Sequence, residues 1–258
     1  MAGIHATARR GFGADSSTYA RGRPDYPKEA LDWLIGDLRL GTGSTALELG
    51  AGTGKFTKSL TQTGADVIAV EPVAAMVARL AVEQPGVRTV EASAQEIPLP
   101  DGSVDAVICA QSFHWFATPE SLSEIRRVLK PGGTLGLIWN VRDQSIDWVA
   151  QLTRIMAPYE GDAPRYDHGE WRRVFPAPGF GPLRQKSVAH AHTGPASRVI
   201  VDRIASVSFI AALPPGQRQS VIGELHALIA ATPELAGKDE VSLPYITWMY
   251  WCHAEDTA

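Results

Sequence analysis

The stretch ELGAGTGKFT, residues 48–57, holds the residue types and spacing with the most chemical content in this chain. Gly50, Gly52 and Gly54 alternate just after a short apolar run. Glycine has no Cβ, so such a loop turns tightly and lets a ligand approach the backbone. A helix that starts there offers unpaired N–H groups to an anion. Glu71 ends the next apolar run. A carboxylate at that place can accept hydrogen bonds from both ribose hydroxyls of a nucleoside.

Three nucleotide readings compete for this loop. A phosphate-binding P-loop requires a glycine where Leu49 stands and a Ser or Thr where Phe56 stands, so it fails. A dinucleotide loop requires G-x-G-x-x-G, but from Gly50 the third glycine falls one residue early, at Gly54. G-x-G-x-G behind Glu48 suits a nucleoside ligand without a pyrophosphate. The bland alternative is a glycine turn that only joins a strand to a helix. Elsewhere, His190 and His192 share one face of a strand, but no carboxylate or Cys cluster accompanies them, so no metal site is expected. Cys109 and Cys252 form no close pair, which excludes a zinc or redox motif and fits a reducing, cytoplasmic setting.

The elements that must position these residues alternate along the chain. After an irregular arm at 1–26, a helix is expected over 27–38, with Leu31, Leu34, Ile35 and Leu38 on one stripe. Apolar strands follow at 45–49, 67–70, 87–91, 104–110 and 134–139. Helices lie between them at 55–63, 73–83 and 119–129, the last stopped by Lys-Pro-Gly-Gly at 130–133. Apolar strands that alternate with helices imply a parallel sheet covered on both faces, an α/β fold. The second half reads as a helix at 146–159, a strand at 183–192, helices at 197–209 and 217–231, and a last strand at 241–251. The helical insertion between the last two strands would sit at the sheet's C-terminal edge, where ligands bind in open α/β sheets. It reads as a substrate cap.

Composition narrows the function classes. The chain has 258 residues, 45% apolar and 20% charged, with a net charge of −4. One α/β domain with additions fits that length. Lys and Arg run no longer than pairs, which argues against a nucleic-acid partner. No apolar stretch approaches the ~20 residues of a membrane span. The first residues lack the apolar core of a secretory signal.

ELGAGTGKFT resembles the first motif of the class I S-adenosylmethionine-dependent methyltransferases, and Val70-Glu71-Pro72 resembles their second. EASAQEIPLPDGSVDAVICAQSFHWF (91–116) is similar to their adenine-side loop and fourth strand. EIRRVLKPGGTLGLIWN (124–140) is similar to the helix and fifth strand that follow. YARGRPDYP (19–27) and LPYITWMYW (243–251) extend the likeness toward both ends. They point to a subgroup similar to trans-aconitate methyltransferase and related small-molecule enzymes. The resemblance implies a Rossmann-like seven-stranded sheet, mostly parallel with the last strand antiparallel. It implies one domain, with a lid arm at 1–26, a cofactor-binding core at 27–192, a cap at 193–240 and a last strand at 241–251. It further implies S-adenosylmethionine as cofactor and S-adenosylhomocysteine as product.

Roles for single positions follow from that likeness. Gly50, Ala51 and Gly52, with Gly54 completing the loop, would contact the methionine portion. Glu71, followed by Pro72, would bind the ribose, and Ser93, Ala94 and Gln95 would flank the adenine. Many family members carry Asp where Ser93 or Ala94 stands, so Gln95 or a backbone carbonyl would take over that contact. Gln111 would line the sulfonium side. Tyr19, Arg23 and Tyr26 resemble a lid, with Arg23 paired to the methionine carboxylate and Tyr26 on the acceptor side. His114 is the candidate general base; alternatively it packs or hydrogen-bonds a neighbour. Phe113, Trp115 and Phe116 could wall the sulfonium or pack in the core. Trp139, Asn140 and Arg142 could face a small-molecule acceptor; Arg142 could pair with an acidic one or lie solvated. Two other readings stay open at this point, a nucleotide-dependent oxidoreductase on the same fold and a binding protein that performs no methylation. Acceptor identity, the methylated element and the oligomeric state are open as well.

Overall fold

The computed structural model describes residues 23–255. Helix α1 (Lys28–Gly36) precedes β1 (Thr45–Leu49), α2 (Thr57–Thr61), β2 (Asp66–Val70), α3 (Ala74–Glu83) and β3 (Arg88–Val90). Then come β4 (Val104–Ala110), α4 (Pro119–Val128), β5 (Leu129–Arg142) and α5 (Asp147–Met156). Strand β6 (Arg184–Gly194) leads into a π-helical turn (Ser197–Asp202), α6 (Arg203–Ala205), α7 (Ser208–Ala211) and α8 (Pro215–Ala231). Strand β7 (Val241–His253) closes the sheet.

The seven strands lie in the order β3-β2-β1-β4-β5-β7-β6. Strands β1 to β5 pair in parallel, and β7 runs antiparallel to both β5 and β6. The expected sheet is therefore present, with only the last strand reversed. Strand order reverses between β1 and β4. This switch point opens a crevice at the strands' C-terminal ends, and the glycine loop leaves β1 into it.

Alternating side chains divide the core into two layers. Val107 and Cys109 pack with Leu47, Leu122 and Ile125 on one face. Ala106 and Ile108 pack with Trp33, Leu34 and Leu60 on the other. Because both faces are covered, the strands read as unbroken apolar runs. A third cluster joins α5 to the insertion through Val149, Ile200, Ile204, Leu225 and Tyr245. Among the described residues, no helix is long and apolar enough to cross a membrane.

Several elements differ from the sequence expectation. Lys-Pro-Gly-Gly does not separate helix from strand; it lies within β5 as a bulge. Val104 pairs with Leu129 and Ala106 with Thr134, so the extra residues are looped out. The helix expected at 55–63 shortens to α2, because Gly54 still turns at φ +86°. The helix expected at 197–209 breaks into a π-helical turn and two short helices. In α1 the buried stripe is Ala30, Trp33 and Leu34, while Ile35 is 49% exposed. Trp33 takes the inward place because it covers Gly136 of β5.

That cover is tight. A Cβ on Gly136 would stand 2.6 Å from Leu38 Cδ2 and 2.9 Å from Trp33 Cη2. Gly136→Ala is therefore expected to destabilise the fold by about 1–3 kcal/mol through overpacking. Gly86→Ala, with nothing within 4 Å of the new Cβ, should stay within about 0.5 kcal/mol of the parent. Urea unfolding midpoints of the two variants check the contrast.

Candidate active site

The loop after β1 is built by close approach. Gly50 has φ +68°, and a Cβ there would stand 2.6 Å from Ser112 Cβ. Ser112 itself is fixed, its hydroxyl donating to the Leu49 carbonyl at 2.7 Å. The Gly50 and Ala51 amides both donate to the Val70 carbonyl, which joins the ends of β1 and β2. Gly52 also has a positive φ, +59°, but a Cβ there would meet nothing within 4 Å. Its amide donates to Glu71 Oε2 at 3.0 Å, while the Val73 amide donates to Oε1 at 3.1 Å. Each Glu71 oxygen thus keeps a lone pair for another donor. Burial raises the Glu71 pKa, and these two amides restrain the rise.

Glu48 lies beneath the loop, 1% exposed. Its Oε2 accepts from Thr57 Oγ1 at 2.5 Å. Desolvation pushes its pKa up to about 8; the Thr57 hydrogen bond opposes this and the nearby Glu71 adds to it. The carboxyl is therefore largely protonated at neutral pH.

Two cavities meet at this edge of the sheet. The first, about 180 Å³, is lined by Gly50, Ala51, Gly52, Glu71, Pro72, Ser93, Ala94, Gln95, Phe116 and Tyr26. A carboxylate with free lone pairs and an open glycine edge in one cavity fit a nucleoside-bearing ligand. The second, about 120 Å³, is lined by His114, Trp139, Arg142, Arg165, Tyr166 and Phe209, among others. Arg23, Gln111, Trp115, Asn140 and Arg203 line both. Gln111 holds a positive φ of +59° without being glycine. Its amide donates to the Ile138 carbonyl and its side chain to the Asn140 carbonyl, which fixes it at the shared wall.

His114 occupies a 3₁₀ turn over Phe113–Trp115. The Trp139 indole N–H donates to its Nδ1 at 3.1 Å. In a neutral ring Nε2 must then carry the proton. Desolvation, assisted by the nearby Arg165 and Arg23, lowers its pKa to about 3. Trp139 is fully buried against Trp171, at 4.7 Å between ring centroids.

A strap at 23–27 crosses the rim. The Asp25 carbonyl accepts from Asn140 Nδ2 at 3.1 Å and from His190 Nε2 at 2.7 Å. Lys55 Nζ donates to the Arg23 carbonyl and pairs with the Asp25 carboxylate at 3.1 Å. Asn140 is held in turn by Thr247, whose hydroxyl donates to Oδ1 at 2.6 Å. Tyr26 packs edge-on against Phe56, 4.6 Å between centroids.

Most of the expected site residues converge here, with exceptions. Phe113 is fully buried among Phe116, Trp171 and Phe175 and lines neither cavity. Gly54 packs on Leu80 and likewise lines neither. Tyr26, expected on the acceptor side, borders the first cavity only. Arg142 is not solvated; it is 8% exposed. Tyr19 lies outside the described residues. Ser112 and Arg203 were not foreseen. Ser112 gives no sequence cue. Arg203 gives a partial one, as a cation at helical spacing from the apolar Val199 and Ile200.

Comparisons with known proteins agree on one family. The methyltransferase domain family matches residues 47–137. An uncharacterized methyltransferase-like protein of Schizosaccharomyces pombe is 38% identical over 245 residues, 93% of each chain. An uncharacterized methyltransferase of Mycobacterium tuberculosis is 38% identical over 236 residues, 92% of each. Among solved structures, a protein assigned as a type II methyltransferase from Anaeromyxobacter dehalogenans superposes with a TM-score of 0.65 at 26% identity. That match covers 90% of this chain and 97% of the other.

The buried Glu48 generates a prediction. Its folded pKa, about 8, exceeds the ordinary 4.5. The folded state therefore holds this proton more tightly, and stability present below pH 4.5 is lost as pH rises toward 8. Glu48→Gln stays neutral throughout and keeps an acceptor for Thr57. The variant should gain stability on the parent as pH rises from about 5 to 8, read as urea midpoints at each pH. A pH-independent difference would show that the folded carboxyl titrates normally.

Proposed function

The chain belongs to the class I S-adenosylmethionine-dependent methyltransferases, and we propose that it methylates a small organic molecule held in the second cavity. The observation that carries this reading is the contact between the two cavities, whose common walls are Arg23, Gln111, Trp115, Asn140 and Arg203. In it the first cavity takes the cofactor. Gly50, Ala51 and Gly52 face the methionine portion, and the free Glu71 lone pairs accept from the ribose hydroxyls beside Pro72. Ser93, Ala94 and Gln95 flank the adenine. Arg23 pairs with the methionine carboxylate. Phe116, Trp115 and Gln111 surround the sulfonium, where aromatic faces favour a cation. The helices between β6 and β7 cap the acceptor.

When bound, S-adenosylmethionine supplies an electrophilic methyl group on sulfur. The chain's own residues hold the acceptor in line and exclude water, which can account for much of the rate. His114 enters as a neutral hydrogen-bond donor through Nε2 rather than as the general base, because Nδ1 is occupied and burial keeps the ring uncharged. A nucleophile that reaches this site already ionised needs no base.

The test is transfer of labelled methyl from S-adenosylmethionine to fractions of a cell extract. Label in molecules below about 1 kDa is expected; label confined to proteins or nucleic acids would overturn the small-acceptor reading. Glu71→Ala should weaken S-adenosylhomocysteine binding about 10- to 100-fold by calorimetry, the loss of hydrogen bonds to a charged group. His114→Ala should lower kcat/KM about 10- to 100-fold. The shape of its pH profile between about pH 5 and 8 should stay as in the parent, whereas a general base would take one limb of the profile with it.

A further inference from the structure

Two cations lining the second cavity have no carboxylate in direct contact among the described residues. Arg142 is the last residue of β5 and stands opposite Tyr245 of β7. Arg203 opens α6, and its Nε donates to the Tyr245 hydroxyl at 3.2 Å. Both side chains are 8% exposed, yet Arg142 Nε and Arg203 Nη1 are buried without hydrogen-bond partners. Among the described residues, no carboxylate lies within ion-pair distance of either. Arg165, on the same wall, is different. It pairs with Glu160 at 2.8 Å and with Asp167, the one acidic residue lining the cavity among the described residues, at 3.3 Å.

Burying one charge without a counterion is costly, and a second like charge nearby adds repulsion. The strain registers in Arg142, whose pKa falls to about 10 mainly through desolvation and next through Arg203. It is still a cation at neutral pH. The guanidinium fork presents coplanar N–H groups that match a carboxylate or phosphate. Trp115, Trp139 and Phe209 supply flat apolar walls for an organic body of the size that about 120 Å³ admits.

We infer that the acceptor carries an oxyanion, a carboxylate or phosphate group, held by Arg142 and Arg203. This rests on reading the second cavity as the acceptor site. The anion is the handle that orients the acceptor toward the shared wall.

Two measurements test it. Calorimetry on protein saturated with S-adenosylhomocysteine uses three probes: succinate, glycerol 3-phosphate and uncharged succinamide. One of the anions should bind at least tenfold more tightly than succinamide, and which one does names the oxyanion. Arg142→Met, which leaves the first cavity's lining intact, should abolish that preference while still binding S-adenosylhomocysteine. Independently, Arg142→Met and Arg203→Met should each raise the Tm of the ligand-free protein by about 2–4 °C, since each removes an unpaired buried charge. Equal binding of charged and neutral probes, together with Tm values that fall, would overturn the inference. Failure of S-adenosylhomocysteine to bind would instead overturn the cofactor-site reading, so the two failures are distinguishable.

Discussion

The site depends on one close approach. Where β1 ends, the backbone must pass so near Ser112 that even a methyl group at Gly50 would collide with it. Ser112 cannot retreat, because its hydroxyl is tied to the carbonyl of Leu49. This contact draws the end of β4 against the end of β1, at the place where the sheet's strand order reverses. The loop is thereby presented edge-on to the crevice, and the Glu71 carboxylate can reach its amide at Gly52. Both cavities border this junction, since the segment after β4 continues through Gln111, His114 and Trp115.

Buried ionisable groups around the junction share one tendency. Glu48 is driven toward its protonated form, His114 toward its neutral form, and Arg142 has its proton loosened although not lost. Desolvation is the largest cause in all three. Hydrogen bonds moderate it where the chain supplies them, from Thr57 to Glu48 and from two amides to Glu71. In a dry setting of this kind each remaining charge interacts strongly with whatever enters. Without a carboxylate partner among the described residues, Arg142 and Arg203 therefore shape recognition more than the same residues would on a surface.

How much was legible in the sequence depended on whether a residue's role is local. Gly50, Gly52 and Glu71 could be read because a turn, a missing Cβ and a strand end each leave a local mark. The sheet was legible for a similar reason, since strands covered on both faces give unbroken apolar runs. Tertiary packing decided the rest. Phe113 and Phe116 are three residues apart in one aromatic motif, yet one enters the core and the other the cavity wall. Arg142 looked like a surface cation after a strand, until the helices between β6 and β7 covered it. Lys-Pro-Gly-Gly carries stop chemistry, but pairing of Leu129 with Val104 kept it within the strand as a bulge. Ser112 gave no mark, because its importance lies in a contact with a backbone 63 positions away by number.

Three of the hydrogen bonds that fasten the strap at 23–27 run through main-chain oxygens. The carbonyls of Arg23 and Asp25 accept from Lys55, Asn140 and His190. Every residue type carries a carbonyl, so these fastenings ask nothing of the strap's own side chains. The demand for identity falls on the three donors, which belong to distant parts of the chain. Over evolutionary time an exposed strap position such as Asp25, whose side chain is 91% exposed, can thus drift and reshape the doorway for different guests, while the hinge-pins that hold it in place stay the same.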